Sequence, residues 1–268
     1  MTQEERRFII DMMRWSFSRV DSFNNCKREW LLKYIEEPEE ENVDSCYAQF
    51  GSLCHEILEE FYKDKYDVFS LPLIYEERFN DVVTEYFPKM GNKDFRSEYF
   101  DKGYDYFCNI QDYRDRYEVL GVEKKVEFET GGYPFIGFID LLLRDKETGD
   151  IVIVDHKSAT MKYKKNGDFT KASAEKFDKY KKQLYLYSIP VIEEFGRVDY
   201  LGWNFFKDQK SIKIPWNHKE YENAKKWAIE TIHNIENNED WEPKTDYLYC
   251  WFLCGRRLDC PYKNQKKE

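Results

Sequence analysis

The 268-residue chain has no apolar run near the roughly 20 residues that a membrane-crossing helix needs, so no membrane partner is expected. Its opening, MTQEERRFIIDMMRW, has no apolar signal core, and a cytoplasmic location is expected. No internal repeat, domain linker or helicase motif is visible, so any motor would be a separate protein. An excess of positive charge is missing too. The 42 Lys and Arg face 52 Asp and Glu, a formal charge of −10, which argues against a general nucleic-acid coat protein. Disulfides are not expected in a cytoplasmic chain, so the seven cysteines are read as reduced or metal-bound.

Hydrophobic residues make up 41% of the chain and aromatics 18%, which suits a packed globule rather than disorder. The apolar spacing predicts a helix over 16–36, capped by Ser18 with Asp21 three residues on. An acidic loop follows around Pro38. A second helix is predicted over 52–66, where Leu53, Ile57 and Phe61 recur at spacing four. His55, Glu59 and Tyr62 lie on another side of it. Residues 74–118 read as mostly helical. Strands are predicted over 122–128, in a pair within 137–159, and over 198–206 and 210–216. Helices are predicted from 173 at least to Pro190, and over 219–238. Helices, then a small sheet broken by one helix, then a helix and a cysteine-rich tail describe an α/β core with a helical insertion. The chain is read as one domain over 1–268. Its core covers about 16–66 and 120–216, its insertion 67–119, and its C-terminal helix and cysteine tail 217–268.

Two aspartates do not fit their strands. In GFIDLLLRDKETGDIVIVDHKSA, residues 137–159, Asp140 and Asp155 sit inside runs of Ile, Leu and Val. Asp is disfavoured in strands. If Asp145 and Asp150 close the hairpin, with Gly149 supplying a positive φ, paired numbers sum to 295. Asp140 then lies opposite Asp155 on one face, with Cβ atoms about 5 Å apart. Strand period two adds Lys157 to that face. Two adjacent carboxylates disfavour joint ionisation unless a cation lies between them, and hard oxygen ligands suit Mg²⁺ or Mn²⁺. Lys157 would orient or deprotonate an attacking water, or steady charge on a phosphate. A one-residue slip of register would separate the pair.

Local charge supports an anionic substrate. Residues 157–182 carry nine lysines against Asp168, Glu175 and Asp178, in a chain that is acidic overall. A phosphate backbone needs local positive charge, not global.

The hairpin followed by Asp-x-Lys resembles the PD-(D/E)xK nuclease superfamily. The Gly-x-x-x-His of GSLCHEILEEFY, ending at His55, resembles the helix of its RecB-like members. QLYLY, with Gln183 and Tyr187, resembles their Gln-x-x-x-Tyr helix, and SFSRVDSFNNCKREWLLKY their opening helix. The resemblance runs from about residue 16 to 262, without a known motif between 64 and 120. It implies a restriction-endonuclease-like fold, a small mixed sheet flanked by helices with cysteine-bearing termini. It also implies a metal held by His55, Asp140, Asp155 and the backbone carbonyl of His156, with Lys157 catalytic. Gln183 and Tyr187 would border the DNA, and Lys162, Lys164, Lys165 and Lys179 would bind its backbone. Glu59 is read first as surface and second as a further ligand. No partner is evident for the His156, His218 or His233 side chains.

Cys250, Cys254 and Cys260 form Cys-x3-Cys-x5-Cys, and Cys26 stands far upstream. AddB-type and CRISPR-adaptation nucleases hold a [4Fe-4S] cluster on one early and three late cysteines, more often with two residues in the first late gap. The resemblance implies such a cluster; zinc and ordinary thiols remain alternatives. Cys46, Cys54 and Cys108 are read as packing.

The reading is therefore a Mg²⁺- or Mn²⁺-dependent deoxyribonuclease, an exonuclease on single strands or DNA ends, with a structural iron-sulfur cluster. Helicase, recombination or CRISPR-adaptation proteins are candidate partners. The competitors are a non-catalytic nucleic-acid-binding or assembly protein of the same fold, and a redox iron-sulfur protein.

Overall fold

The computed structural model describes residues 1–36, 42–89, 91–258 and 260–262. The acidic loop expected around Pro38 falls largely on 37–41, outside the described residues. In chain order the elements are α1 (Gln3–Asp11), α2 (Phe17–Asn25), α3 (Lys27–Leu31), α4 (Cys46–Tyr62), α5 (Leu71–Val82) and α6 (Phe95–Cys108). Strands β1 (Tyr117–Thr130), β2 (Tyr133–Asp145) and β3 (Ile151–Lys157) follow, then α7 (Lys171–Phe195), β4 (Tyr200–Phe205), β5 (Lys210–Pro215) and α8 (His218–Glu236). No described helix is long and apolar enough to cross a membrane.

The chain forms two compact units. The first comprises Met1–Ser45, Glu127–Ile136 and Asn223–Glu268; the second comprises Cys46–Val126 and Gly137–Glu222.

In the first unit, the run read as one helix over 16–36 is broken. Ser16, not Ser18, caps α2, its hydroxyl accepting the Arg19 N–H at 3.2 Å. Cys26 is extended, with φ −158° and ψ 112°, and caps α3 by accepting the Glu29 N–H on its sulfur. Apolar spacing alone cannot show a single extended residue that restarts a helix. A π-helical turn, Leu32–Glu36, follows α3. Trp30 stacks between Trp15 and Trp241, with ring centroids 6.4 and 5.7 Å away. The buried Trp15 and Trp30 and the half-buried Trp241 give so small a unit a large apolar burial.

The second unit is built on a five-stranded sheet in the order β1-β2-β3-β4-β5, and β1 and β2 run on into a hairpin tip that belongs to the first. β3 and β4 are parallel, joined through α7; β2–β3 and β4–β5 are antiparallel. The β2–β3 register pairs Leu141 with Val154 and Leu142 with Ile153, the sum of 295 expected. Asp145 and Asp150 do close the turn, the Asp145 N–H donating to the Asp150 carbonyl at 2.9 Å, and Gly149 takes φ +73°.

Strand alternation divides the core between two helical layers. Leu141, Leu143, Val152 and Val154 pack with α4, α5 and α6 around Phe50, Phe61, Tyr75 and Phe107. The opposite face meets α7, where Phe177 packs edge-on against Trp203 and Tyr180 against Phe205. Thr170 caps α7, and Gly196 ends it at φ +76°. The helix passes Pro190 to reach Phe195.

Candidate active site

The β2–β3 hairpin carries three of the site residues by backbone geometry alone. Asp140 and Asp155 lie one step beyond the Leu141–Val154 pair, at the end of the ladder. The His156 N–H donates to Asp140 Oδ2 at 2.6 Å, which binds this carboxylate to the neighbouring strand. Lys157 Nζ donates to Asp155 Oδ1 at 2.8 Å and to Gln183 Oε1 of α7 at 3.0 Å. His55 enters from α4, its Nδ1 3.5 Å from Asp140 Oδ2 and its ring hydrogen-bonded to the His156 backbone. Thus His55, Asp140, Asp155, Lys157, Gln183 and the His156 backbone come together.

Tyr187 belongs to the same network. Its hydroxyl is hydrogen-bonded to the Gln183 side chain and to the backbone of Phe138. Its ring lies directly over Gly137, where an added Cβ would sit 2.4 Å from Tyr187 Cε1. One helical turn of α7 therefore links the lysine to the strand that bears Asp140. The Gln183 and Tyr187 side chains face inward, holding this link. The lysines called for DNA are placed differently. Lys162, Lys164 and Lys165 are exposed on the 158–170 connection, which is tied down by Thr160 and the Met161 N–H, both donating to Asp208. Lys179 is half-buried on α7.

Sequence reading missed Glu123. It sits in β1 at φ +46°, a left-handed conformation that strands rarely contain. That conformation re-aims the side chain, and ligand atoms of His55, Glu123 and Asp140 all lie within 4.8 Å of one another. Its signal was weak because VEKKVEF is half charged, so one more acid did not stand out. Glu59, the reserve candidate, pairs with Lys63.

The electrostatics are those of a cation site. Burial lifts Asp140 and Asp155 to about 6, with the Lys157 charge opposing the shift in both. Burial also lifts Glu123 to about 7, helped by the Asp140 charge. The same burial pushes His55 down, which favours the neutral imidazole that metals bind. Asp155 is 3% exposed, and its Oδ2 accepts no hydrogen bond although the Lys157 ammonium is 2.8 Å away. Buried carboxylates beside an imidazole held towards its neutral form fit a hard divalent cation.

His156 also has a partner that its sequence did not reveal. Its ring is buried, and its Nδ1 lies 3.0 Å from Asn204 Nδ2, which also donates to the Tyr106 hydroxyl at 2.6 Å. This ties the centre of Asp-x-Lys to β4 and α6.

The four candidate cluster cysteines all fall in the first unit. Cys26, Cys250 and Cys254 are buried, and Cys260 is half-buried. Cys250 feels the charges of Cys26 and Cys260, and Cys254 that of Cys26, so the four share one neighbourhood. Burial pushes the Cys250 and Cys254 thiols up. The Lys244 and Glu29 N–H groups point at Cys26 Sγ from 3.3 and 3.5 Å. Such donors stabilise a ligating thiolate. Cys46 and Cys54 are buried, Cys54 within the α4 core, whereas Cys108 is exposed.

A mixed five-stranded sheet flanked by helices, with carboxylates and a lysine at the end of a β-hairpin, defines an α/β fold of the restriction-endonuclease-like kind. Residues 14–265 match the model of the PD-(D/E)XK nuclease superfamily, and the chain belongs to that superfamily. A crystal structure of a provisionally assigned exonuclease from Eubacterium rectale resembles it at 14% identity and a TM-score of 0.51. The match covers 100% of this chain and 92% of that one, and at this identity it shows the shared fold. No curated protein matches the sequence.

Proposed function

We propose that the protein is a divalent-cation-dependent deoxyribonuclease of the RecB-like and AddB-like kind, working as an exonuclease on single strands or DNA ends. The observation that carries this reading is the convergence of Asp140, Asp155, Lys157 and His55 at the end of one hairpin. His55, Glu123, Asp140, Asp155 and the His156 carbonyl would hold Mg²⁺ or Mn²⁺. When bound, such an ion supplies Lewis-acid activation of water and neutralises charge on the phosphate. Lys157, fixed by Asp155 and Gln183, places its ammonium where charge develops on the phosphate. Gln183 and Tyr187 keep that lysine in register with β2. The exposed lysines of residues 162–165 draw in the DNA backbone.

A [4Fe-4S] cluster on Cys26, Cys250, Cys254 and Cys260 would have a structural role, tying α2 and α3 to the tail. The support is four thiols in one neighbourhood and two backbone donors aimed at Cys26 Sγ. Visible absorbance of anaerobically purified protein tests this part separately.

The deciding experiment is digestion of 5′- and 3′-labelled single- and double-stranded DNA with Mg²⁺, Mn²⁺ or chelator. Stepwise shortening that requires the cation is expected. DNA binding without cleavage under every condition would establish the non-catalytic alternative.

A further inference from the structure

Five large apolar side chains of the second unit stand exposed among the described residues: Phe69, Leu73, Tyr86, Phe138 and Tyr163. Phe138 alone lies on a strand that bears a site carboxylate. It is 50% exposed, while Gly137 and Ile139 on either side are buried. Strand period two puts it on the face of Asp140, about 7 Å along β2. Among the described residues no ring packs on it, although this chain stacks aromatics densely elsewhere. Its backbone is hydrogen-bonded to Tyr187, which reaches Lys157 through Gln183. The ring is therefore a free apolar face mounted on the same rigid network as the lysine.

A lone exposed Phe is ordinary on a protein surface. One fixed beside a phosphate-cleaving centre is not, because every nucleotide carries a flat apolar base a short reach from its phosphate. We propose that Phe138 is a specificity-determining residue: its ring stacks on an unpaired base next to the scissile phosphate and selects single-stranded DNA or a frayed end. This rests on the nuclease reading above. In a duplex both faces of a base are covered by its neighbours, so only an unstacked base can take the ring. Stacking reads no hydrogen-bond pattern, so the selection is for single-strandedness and not for sequence.

The test uses the full chain and single-stranded oligonucleotides with one abasic nucleotide walked past the cleavage position. Phe138→Ala is expected to raise KM on single strands about tenfold, with kcat changed less than twofold, as loss of one stacked base implies. Phe138→Trp is expected to retain wild-type KM. One abasic position should slow the wild type by a similar factor and give Phe138→Ala no further penalty. Equal KM for wild type and Phe138→Ala, or an equal abasic penalty in both, would overturn the proposal. Anisotropy with labelled single strands in chelator reads the same contact without catalysis. If the wild type cleaves nothing, the nuclease reading fails; an anisotropy affinity unchanged by Phe138→Ala sinks the stacking proposal in its own right. Matching thermal melts of the variants exclude misfolding, since the ring has little packing to lose.

Discussion

The carboxylate site and the cysteine cluster are two groups of candidate ligands built in opposite ways. Asp140 and Asp155 are fifteen residues apart in sequence, on strands joined by one tight turn. The sheet ladder and the His156 N–H fix them whether or not an ion is bound. Cys26 and Cys250 are more than 220 residues apart, one at a break between short helices, the other in a π-helical turn, Tyr249–Leu253. Their surroundings are knitted by side chains instead: Glu29 accepts the Gly255 N–H, and Arg257 donates to the Val43, Asp44 and Cys254 carbonyls. A site carried by a ladder keeps its shape without its ion; a site carried by caps and turns depends on what it binds. The two should therefore fail differently when a ligand residue is lost.

The largest expected difference is in activity. Lys157→Ala or Asp155→Ala should lower cleavage at least a hundredfold, the cost of removing a group that meets charge in the transition state. The fold should survive, because the ladder does not need either side chain. Initial rates on labelled DNA and a thermal melt read both halves. Retained cleavage by either variant would show that the hairpin is not the reacting centre.

Cys26→Ala should do the reverse. If a cluster ties the first unit together, visible absorbance disappears and stability falls by about 3 kcal/mol, near 10 °C in melting temperature for a chain of this size. Any cleavage that remains should need the same cation. An unchanged melt would mean the thiols act as ordinary packing.

Gly137→Ala sharpens the idea of a site held by backbone geometry. The new methyl group would meet the Tyr187 ring and force it off the Phe138 backbone. About 1–3 kcal/mol of stability should be lost, as in overpacked cores. Because Tyr187 holds Gln183 and hence Lys157, kcat should fall more than KM rises. Tyr187→Phe, which keeps the ring and removes the hydroxyl, separates the bond from the packing.

The legibility of these features in the sequence follows from how local each one is. Asp140, Asp155 and Lys157 could be placed because period two and one turn fix their facing, and the register proved correct. The long helix over 16–36 could not be divided, because one extended cysteine leaves the apolar spacing intact. Glu123 was hidden for a related reason. Its place in the site comes from a single left-handed φ, and no spacing pattern encodes a dihedral angle. Asn204 and Tyr106, which hold the His156 ring, come from β4 and α6 and meet only in the folded chain.

The smallest effect concerns protons. Asp140, Asp155 and Glu123 have folded values of about 6, 6 and 7, above their ordinary 3.8 and 4.5. A group raised on folding binds protons more tightly in the native state. Its contribution to stability is full below the ordinary value and is lost as pH rises through the folded one. Between about pH 4 and 7 the free protein thus loses what these three groups contribute. A divalent cation competes with their protons and restores it, but only where they are ionised. His55 and His156 are both pushed below 6.5 by burial and favour their neutral forms over the upper part of this range. Saturating Mg²⁺ or Mn²⁺ should therefore raise the melting temperature by about 5 °C near pH 8 and far less near pH 5.5. Glu123→Gln removes the group with the highest folded value, so the remaining cation response should already reach its plateau near pH 7. A cation shift of equal size at both pH values would mean that these buried carboxylates do not hold the ion. The four cysteines fall in the first unit and the three raised carboxylates in the second, so Cys26→Ala should leave the pH dependence of the cation shift where it is in the wild type.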